Sequence, residues 1–384
     1  MPPSPFSSAV LKDGERVFRI PALIKGELVH ASAIGLEALE ESAGARARSA
    51  ENAWDPASFR VGDAHVLREP LLDPASRTPT GDFRYLVLPR PEPSRLIEKD
   101  PAELARSLFS LPFAEVLSFA GELRSVLSSG RTQILQVVRE LGQGSIVGPG
   151  LVSLLVEVLP ELLAPAALAE AVDSELGSGS VPGRAYLDGW VRAAESHRGM
   201  MARLGERLAN AHRPAEPSFA SLMRAVPTRQ LHITAGNSPI VPFLSFLRAM
   251  LTKGAATIKM ASDAIGVQVV LGAALRAAGA DHPVTRHTSL VYWPGGDREI
   301  EEPLFAAGAY DRIVVWGGAE TLRSVRSRAV QPKVVALAPR YGVSLVGREA
   351  AGRVDEAAAA ASVDTLIWDQ KACTASLVHY VEGD

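Results

Sequence analysis

The 384-residue sequence predicts an α/β fold whose centre is a parallel sheet with helices on both faces. The first observation behind this is an alternation of strand-like and helix-like stretches from residue 229 onward. The second is glycine-rich punctuation after successive strands. The third is composition: 47% of residues are apolar, 22% are charged, and the formal net charge is −3, as expected of a chain with ample core and no extreme surface.

The strand–helix rhythm runs as follows. Leu231–Ala235 reads as a strand and Pro239–Leu251 as a helix, then Ala255–Met260 with Ala264–Ala278. Thr288–Trp293 with Arg298–Ala307 and Arg312–Trp316 with Ala319–Arg328 continue it, and Lys333–Leu337 closes it with a last strand. Consecutive βα units imply parallel pairing with right-handed connections. A ligand then belongs at the carboxyl ends of the strands. Ala357–Ala361 reads as part of a helix.

Upstream, residues 1–97 read as short strands and turns, including Val17–Ile20, Glu27–Ala31 and Phe83–Leu88. Eleven of the 27 prolines fall before residue 100, which suits an extended layer more than packed helices. Residues 98–212 switch to helical spacing, with Leu104, Leu108 and Leu111, then Val116, Leu123 and Leu127. Asp100-Pro101 marks a start and Gly130 a stop, and further helices are expected over 131–141, 151–163, 165–175 and 185–210. Gly142-Gln143-Gly144 follows a helix, not a strand, and reads as a helix end instead of a phosphate loop.

Composition excludes several functions. Forty basic residues against forty-three acidic ones leave no footprint for nucleic acid. A long uncharged stretch, Leu141–Val156, is broken by Gly142, Gly144, Gly148, Pro149 and Gly150, so no membrane span is expected. The N-terminal residues lack the charged and apolar regions of a secretion signal. A single cysteine, Cys373, allows no internal disulfide, and the expected location is the cytoplasm. The eight histidines show no HExxH spacing, and no metal site is expected.

The strand ends carry the candidate chemistry. The first leads into Ala235-Gly236-Asn237-Ser238-Pro239, where Asn237 suits a turn or helix cap and equally offers an amide donor. The second leaves Lys259 at the ligand edge, as a solvated lysine or as a cation for ribose hydroxyls or phosphate. Trp293-Pro294-Gly295-Gly296 and Trp316-Gly317-Gly318 end the third and fourth, with Gly318 where a helix begins. Helix N-terminal amides attract pyrophosphate, although tight turns need glycine anyway. Cys373 reads as a small buried hydrophobe or, with Lys371 nearby to favour thiolate, as a nucleophile.

Together these segments resemble the aldehyde dehydrogenase superfamily, and most closely its LuxC-type acyl-CoA reductase branch. The resemblance rests on Ala235–Pro239 with Ser245-Phe246-Leu247-Arg248, Lys253, Ile258-Lys259, Trp316-Gly317-Gly318-Ala319-Glu320 and Asp369-Gln370-Lys371-Ala372-Cys373, and also on Ile20-Pro21-Ala22-Leu23-Ile24. It implies a Rossmann-type parallel sheet flanked by helices. The implied layout is an N-terminal β-rich layer at 1–97, a helical region plus NADP-binding domain at 98–345, and the start of a catalytic domain at 346–384. Only eleven residues follow Cys373, so an incomplete catalytic domain is expected, completed by another polypeptide or left without turnover.

By this resemblance Cys373 is the thiol that takes the acyl group, and Asn237 supplies the oxyanion-hole amide. Lys259 and Ser262 meet the adenosine ribose or its 2′-phosphate, and Gly317 and Gly318 lie beside the cofactor phosphates. The implied reaction is NADPH-dependent reduction of a long-chain fatty acyl-CoA or acyl-protein thioester to the aldehyde. Ala336–Gly342 has no carboxylate where oxidising relatives keep a water-activating glutamate, which suits a reductase. NADPH is preferred because no acid matches the usual ribose-binding glutamate, while Asp263 keeps NADH open. Two alternatives stand: a short-chain CoA-acylating relative, and a catalytically incompetent dinucleotide-binding relative or partner subunit. A homo-oligomer or a complementing C-terminal polypeptide is the implied protein partner.

Overall fold

The structure is a computed structural model that describes residues 6–12, 14–32, 35–47, 57–73, 75–76, 78–141, 149–178, 181–192, 222–236, 238, 240–329, 331, 333–338, 340–366 and 375–382. The N-terminal segment supplies β1 (Ser7–Val10), β2 (Arg16–Arg19), β3 (Ala22–Ile24), β4 (Glu27–Val29), β5 (Ala57–Val61), β6 (Ala64–Leu72) and β7 (Pro79–Pro89). Five of them form one sheet in the order β1-β2-β7-β6-β5, in which only β2 and β7 run parallel. A helix, Leu36–Ala47, interrupts what the sequence presents as strands and turns.

The other two strands leave this layer. β3 and β4 form a hairpin through Lys25 and Gly26, both at positive φ (48° and 81°), as a two-residue turn between right-twisted strands requires. A side chain at Gly26 would stand 3.3 Å from the Arg286 Cα and the Thr285 carbonyl oxygen, so the position also demands the smallest residue. β3 pairs antiparallel with β12 (Thr288–Tyr292) and thereby extends the central sheet. The segment 1–97 is thus divided between two sheets.

After the short pair β8 (Val191–Arg192) and β9 (Leu222–Met223), the central strands are β10 (Arg229–Ile233), β11 (Ala255–Met260), β12, β13 (Arg312–Trp316) and β14 (Lys333–Leu337). Their order is β14-β13-β10-β11-β12-β3-β4, with all neighbours among β10 to β14 parallel. Inward-facing residues alternate along these strands. Ala256, Ile258, Met260 and Leu290 pack with the helices Ile265–Gly279 and Phe113–Ser129 on one face. Leu231, Ile233, Val291, Ile313 and Val315 pack with Arg298–Phe305 and Ala319–Arg328 on the other. Phe18, Leu67 and Leu86 of the N-terminal sheet enter the first of these cores.

The helical region follows the expected spacing for most of its length. The Asp100 carboxylate accepts from the Ala102 N–H at 2.8 Å to open the first helix, and Gly130 closes Phe113–Ser129. Helices Arg131–Leu141, Pro149–Glu161 and Pro165–Leu176 come next. The start of the helix expected over 185–210 is corrected: the described residues form the six-residue turn Gly183–Asp188, ended at Gly189 in extended backbone, after which Val191–Arg192 pairs with Leu222–Met223. The rest of that stretch lies outside the described residues. Residues 193–221 and Gly142-Gln143-Gly144 lie outside the described residues.

Lys253 joins these helices to the sheet. Its buried ammonium donates to the Leu187 carbonyl at 3.0 Å and to Asp188 Oδ1 at 2.7 Å, while Asp188 Oδ1 also accepts from the Phe113 N–H at 2.8 Å. At the C-terminal end β15 (Gly342–Val346) and β16 (Ser376–Val381) form a two-stranded parallel sheet. The helix Val354–Leu366 covers one face through Asp364 to Ser344 and Thr365 to His379. On the opposite face Val343, Leu345, Val378 and Tyr380 are exposed. Among the described residues no helix is long and apolar enough to cross a membrane.

Candidate dinucleotide site

The strand order reverses at β10. The chain runs outward through β11 and β12, then returns to place β13 on the other side of β10. The loops leaving β10 and β13 therefore diverge and open a crevice between their carboxyl ends, where ligands of such sheets bind. The Thr234 hydroxyl donates to the Lys259 carbonyl at 2.8 Å and ties the end of β10 to β11. A Cβ at Gly236 would stand 3.4 Å from Ala261 Cβ and 3.7 Å from Asp263 Oδ2, so the backbone there runs close to the next turn.

Gly317 and Gly318 leave β13. A Cβ on Gly318 would meet nothing within 4 Å, so the space beside this backbone is open. Gly318 caps the helix Ala319–Arg328 without a side-chain bond, leaving the first-turn amides available to an anion. Two buried polar atoms at the crevice lack any partner among the described residues: Ser238 Oγ beyond β10 and Trp316 Nε1 at the end of β13. Buried donors and acceptors are normally satisfied, so these atoms mark places where a ligand fits. Open amides, a close glycine turn and orphaned polar groups together suit the pyrophosphate and ribose of a dinucleotide.

Lys259 forms the second wall. Strand register places it level with Ile233 and hence with Val315, about 10 Å across two strand spacings from β13. The Lys259 ammonium makes no hydrogen bond or ion pair to a described residue and sits 5.7 Å from the Tyr292 ring centroid. Burial lowers its pKa to about 8, opposed by the Glu301 charge. Glu301 is itself committed, accepting from Trp293 Nε1 at 3.3 Å, the Gly296 N–H at 3.2 Å and Arg328 Nη1 at 2.6 Å. Lys259 is thus a desolvated cation facing the crevice edge without a carboxylate of its own. Ser262 follows on the same wall and donates to Asp263 Oδ1 at 3.1 Å.

Sequence reasoning missed the support behind this wall. Arg84 of β7 donates through Nε and Nη2 to Glu69 Oε2 of β6 at 3.0 and 2.7 Å, and also to the carbonyls of Glu140 and Leu141. Burial pushes the Glu69 carboxyl up against the opposing pull of Arg84, with Asp263 adding to the rise. The Tyr292 hydroxyl is pushed up by burial and then by the charges of Glu69 and Asp263. One signal was present in the sequence: Arg84 interrupts the apolar run of a buried strand, and such a charge requires partners. Of the expected site residues, Lys259 lies near the end of β11 with Ser262 just beyond it, and Gly317 and Gly318 follow β13, at the carboxyl ends of strands on either side of β10. Asn237 and Cys373 lie outside the described residues.

Comparison with known proteins gives a match over part of the chain. Residues 203–384 match the family described as acyl-CoA reductase (LuxC). The chain is similar to LuxC-type acyl-CoA reductases. The long-chain acyl-protein thioester reductase of Aliivibrio fischeri is 30% identical over 155 residues, which is 40% of this chain and 32% of that protein. That of Vibrio harveyi is 28% identical over 171 residues, 44% of this chain and 35% of that protein. The matched part thus spans about a third of these relatives. Among solved structures, 3,6-anhydro-L-galactose dehydrogenase in complex with NAP superposes with a TM-score of 0.60 at 14% identity, over 95% of this chain and 61% of that one. Lactaldehyde dehydrogenase from Escherichia coli gives the same TM-score, identity and coverage. The fold is aldehyde dehydrogenase-like.

Proposed function

We propose that this chain is an acyl thioester reductase that binds NADPH in the crevice between β10 and β13 and takes a long-chain fatty acyl group onto Cys373. The observation that carries this is the coincidence of the LuxC match over 203–384 with a strand-order switch point bearing Gly317, Gly318 and Lys259, which has no hydrogen bond or ion pair to a described residue. Lys259 holds the adenosine ribose or its 2′-phosphate. Ser262 adds a hydroxyl once it turns from Asp263, and the amides after Gly318 face the pyrophosphate. Bound NADPH supplies the hydride that takes the acyl thioester to the aldehyde.

The protein's own residues do the rest. The Cys373 thiolate attacks the thioester carbonyl, the bond to the departing sulfur breaks, and that thiol leaves with a proton. The Asn237 amide and the Cys373 backbone N–H stabilise the charge that develops on the carbonyl oxygen. No carboxylate lies within Ala336–Gly342 to activate water, so the acyl group stays on sulfur until it is reduced. The test is NADPH consumption with a long-chain acyl-CoA, against Cys373→Ala and Asn237→Ala. The proposal expects aldehyde and free thiol in equal amounts, with both variants reduced at least 100-fold. Turnover independent of Cys373 contradicts it.

A second reading has its own observation. The β15–β16 sheet exposes Val343, Leu345, Val378 and Tyr380 on one face, and a two-stranded sheet is marginal alone. The solved neighbours extend well beyond the 61% of their length matched by this chain. In this reading further polypeptide covers that face, and the present chain binds NADPH and accepts acyl groups but releases aldehyde only when joined by it.

A further inference from the structure

A second cluster of reactive side chains lies at the opposite end of the sheet from the crevice. Ser107 occupies the middle of the π-helical turn Ala105–Phe109, and its Oγ lies 2.7 Å from His287 Nε2. The other ring nitrogen, His287 Nδ1, lies 3.3 Å from Glu98 Oε2. Lys25 Nζ stands 3.4 Å from the same carboxylate oxygen and donates to the Ile97 carbonyl at 3.1 Å. The three residues come from separate parts of the chain: the turn before β12, the π turn, and the linker after the helix Pro93–Leu96.

Hydroxyl, imidazole and carboxylate in this sequence of contacts are the parts of an activated nucleophile. Ser107 is half-buried, whereas the side chains of His287 and Glu98 are 5% and 14% exposed. The Glu98 carboxyl is held below the usual range by His287 and then by Lys25, so its charge is in place to support an imidazolium. The contact from His287 Nδ1 is close but not well aligned, as is common before substrate binds. The Ser107 hydroxyl has a second acceptor, the Glu103 carbonyl at 2.7 Å, from which it must turn. A single π turn is rare within helices and recurs at functional positions.

His287 and Glu98 also line a small hollow with Leu96, Ala255, Thr257 and Tyr310, with room for about one water molecule. Arg106 pairs with Asp100 and Glu103 at 3.2 Å each, and Arg286 reaches Glu103, one turn before Ser107, at 4.0 Å.

We propose that Ser107, His287 and Glu98 form a second nucleophilic centre, distinct from the crevice, that hydrolyses carboxylic esters or thioesters. Ser107 Oγ bonds to the acyl carbon while His287 Nε2 takes the hydroxyl proton. The carbon–oxygen or carbon–sulfur bond breaks, and the alcohol or thiol leaves with that proton. Water then attacks the acyl-serine, losing its proton to His287, and releases the carboxylic acid with the Ser107 hydroxyl restored.

The test uses the full chain carrying Cys373→Ala, so that the thiol does not compete, and an alkyl fluorophosphonate, which forms an oxygen–phosphorus bond to an activated serine and expels fluoride. The expected result is one phosphonyl group per chain, mapped to Ser107, absent in Ser107→Ala and slowed at least 100-fold in His287→Gln, with NADPH binding unchanged in both. No label on Ser107 in protein that binds NADPH overturns the proposal, as does an unchanged rate in His287→Gln. If His287→Gln fails to fold, the pH dependence of labelling in otherwise unaltered protein decides. A rate that rises through the imidazole range supports the centre, and a flat profile overturns it.

Discussion

Replacing Lys259 with methionine separates a binding lysine from a structural one, because the two roles predict opposite signs. The ammonium is desolvated, with its pKa lowered from 10.5 to about 8, and its nearest carboxylate, Glu301, is occupied by Trp293, Gly296 and Arg328. At about 1.36 kcal/mol per unit, the shift sets an upper bound of roughly 3 kcal/mol on what the charge costs the folded protein at neutral pH. Partial exposure of the side chain and the lost contact with the Tyr292 ring reduce the net gain on removal to about 1–2 kcal/mol. Lys259→Met is therefore expected to hold or raise the melting temperature. Loss of a charge-assisted bond to a phosphate or ribose costs about 1.5–3 kcal/mol, so the Kd for NADPH rises roughly 10- to 150-fold. Fluorescence titration with NADPH beside a thermal melt reads both quantities. In the unaltered protein the same titration weakens as pH rises through about 8, because deprotonation removes the charge that binds. A variant that melts lower and binds NADPH within twofold of the parent refutes the reasoning.

Other predictions address the remaining walls and the scaffold. Gly318→Val places a branched side chain in open space at a helix cap with φ of −68°, so stability falls by only about 1 kcal/mol while NADPH affinity drops at least tenfold, measured by the same titration. Asp188→Ala leaves the Lys253 ammonium buried without its carboxylate and lowers unfolding free energy by about 3 kcal/mol, read by urea denaturation. Burial lowers the pKa of His65 to about 4 against the pull of Asp297, and burial followed by the Arg248 charge lowers that of His232 to about 3. Both stay neutral when folded and take up a proton near 6.5 when unfolded, so stability is full above pH 6.5 and declines as pH falls toward 4. At pH 5 the loss is on the order of 2 kcal/mol for each histidine, and equal stability at pH 5 and 7 contradicts the assignment.

The parallel sheet was legible because local signals suffice for it. Apolar runs bounded by glycine or proline define β11, β13 and β14 to the residue, and the glycines after β13 fall at the strand-order switch. The N-terminal layer was less legible because its pairings are non-local: β2 runs parallel to β7 with partners such as Arg16 and Arg84 far apart in sequence, and β3 leaves for the other sheet. Helix Leu36–Ala47 has a weak apolar stripe and so gave little periodic signal. At the start of the helix expected over 185–210 the described helix stops at Gly189, where extended backbone and the pairing of Val191–Arg192 with Leu222–Met223 override the local pattern. In the candidate site, Lys259 and Gly318 were readable from their places at strand ends. Glu69, Arg84 and Tyr292 were not, because they reach the site from separate strands and only packing brings them together.

The central claim is that Cys373 carries an acyl group that NADPH discharges. Intact-protein mass spectrometry after incubation with a long-chain acyl-CoA tests it most directly, with Cys373→Ala alongside. The account predicts a gain of one acyl group in the parent, none in the variant, and loss of that mass with appearance of aldehyde when NADPH is added. Acylation that persists in Cys373→Ala, or an acyl-enzyme that NADPH discharges only as free acid, contradicts it.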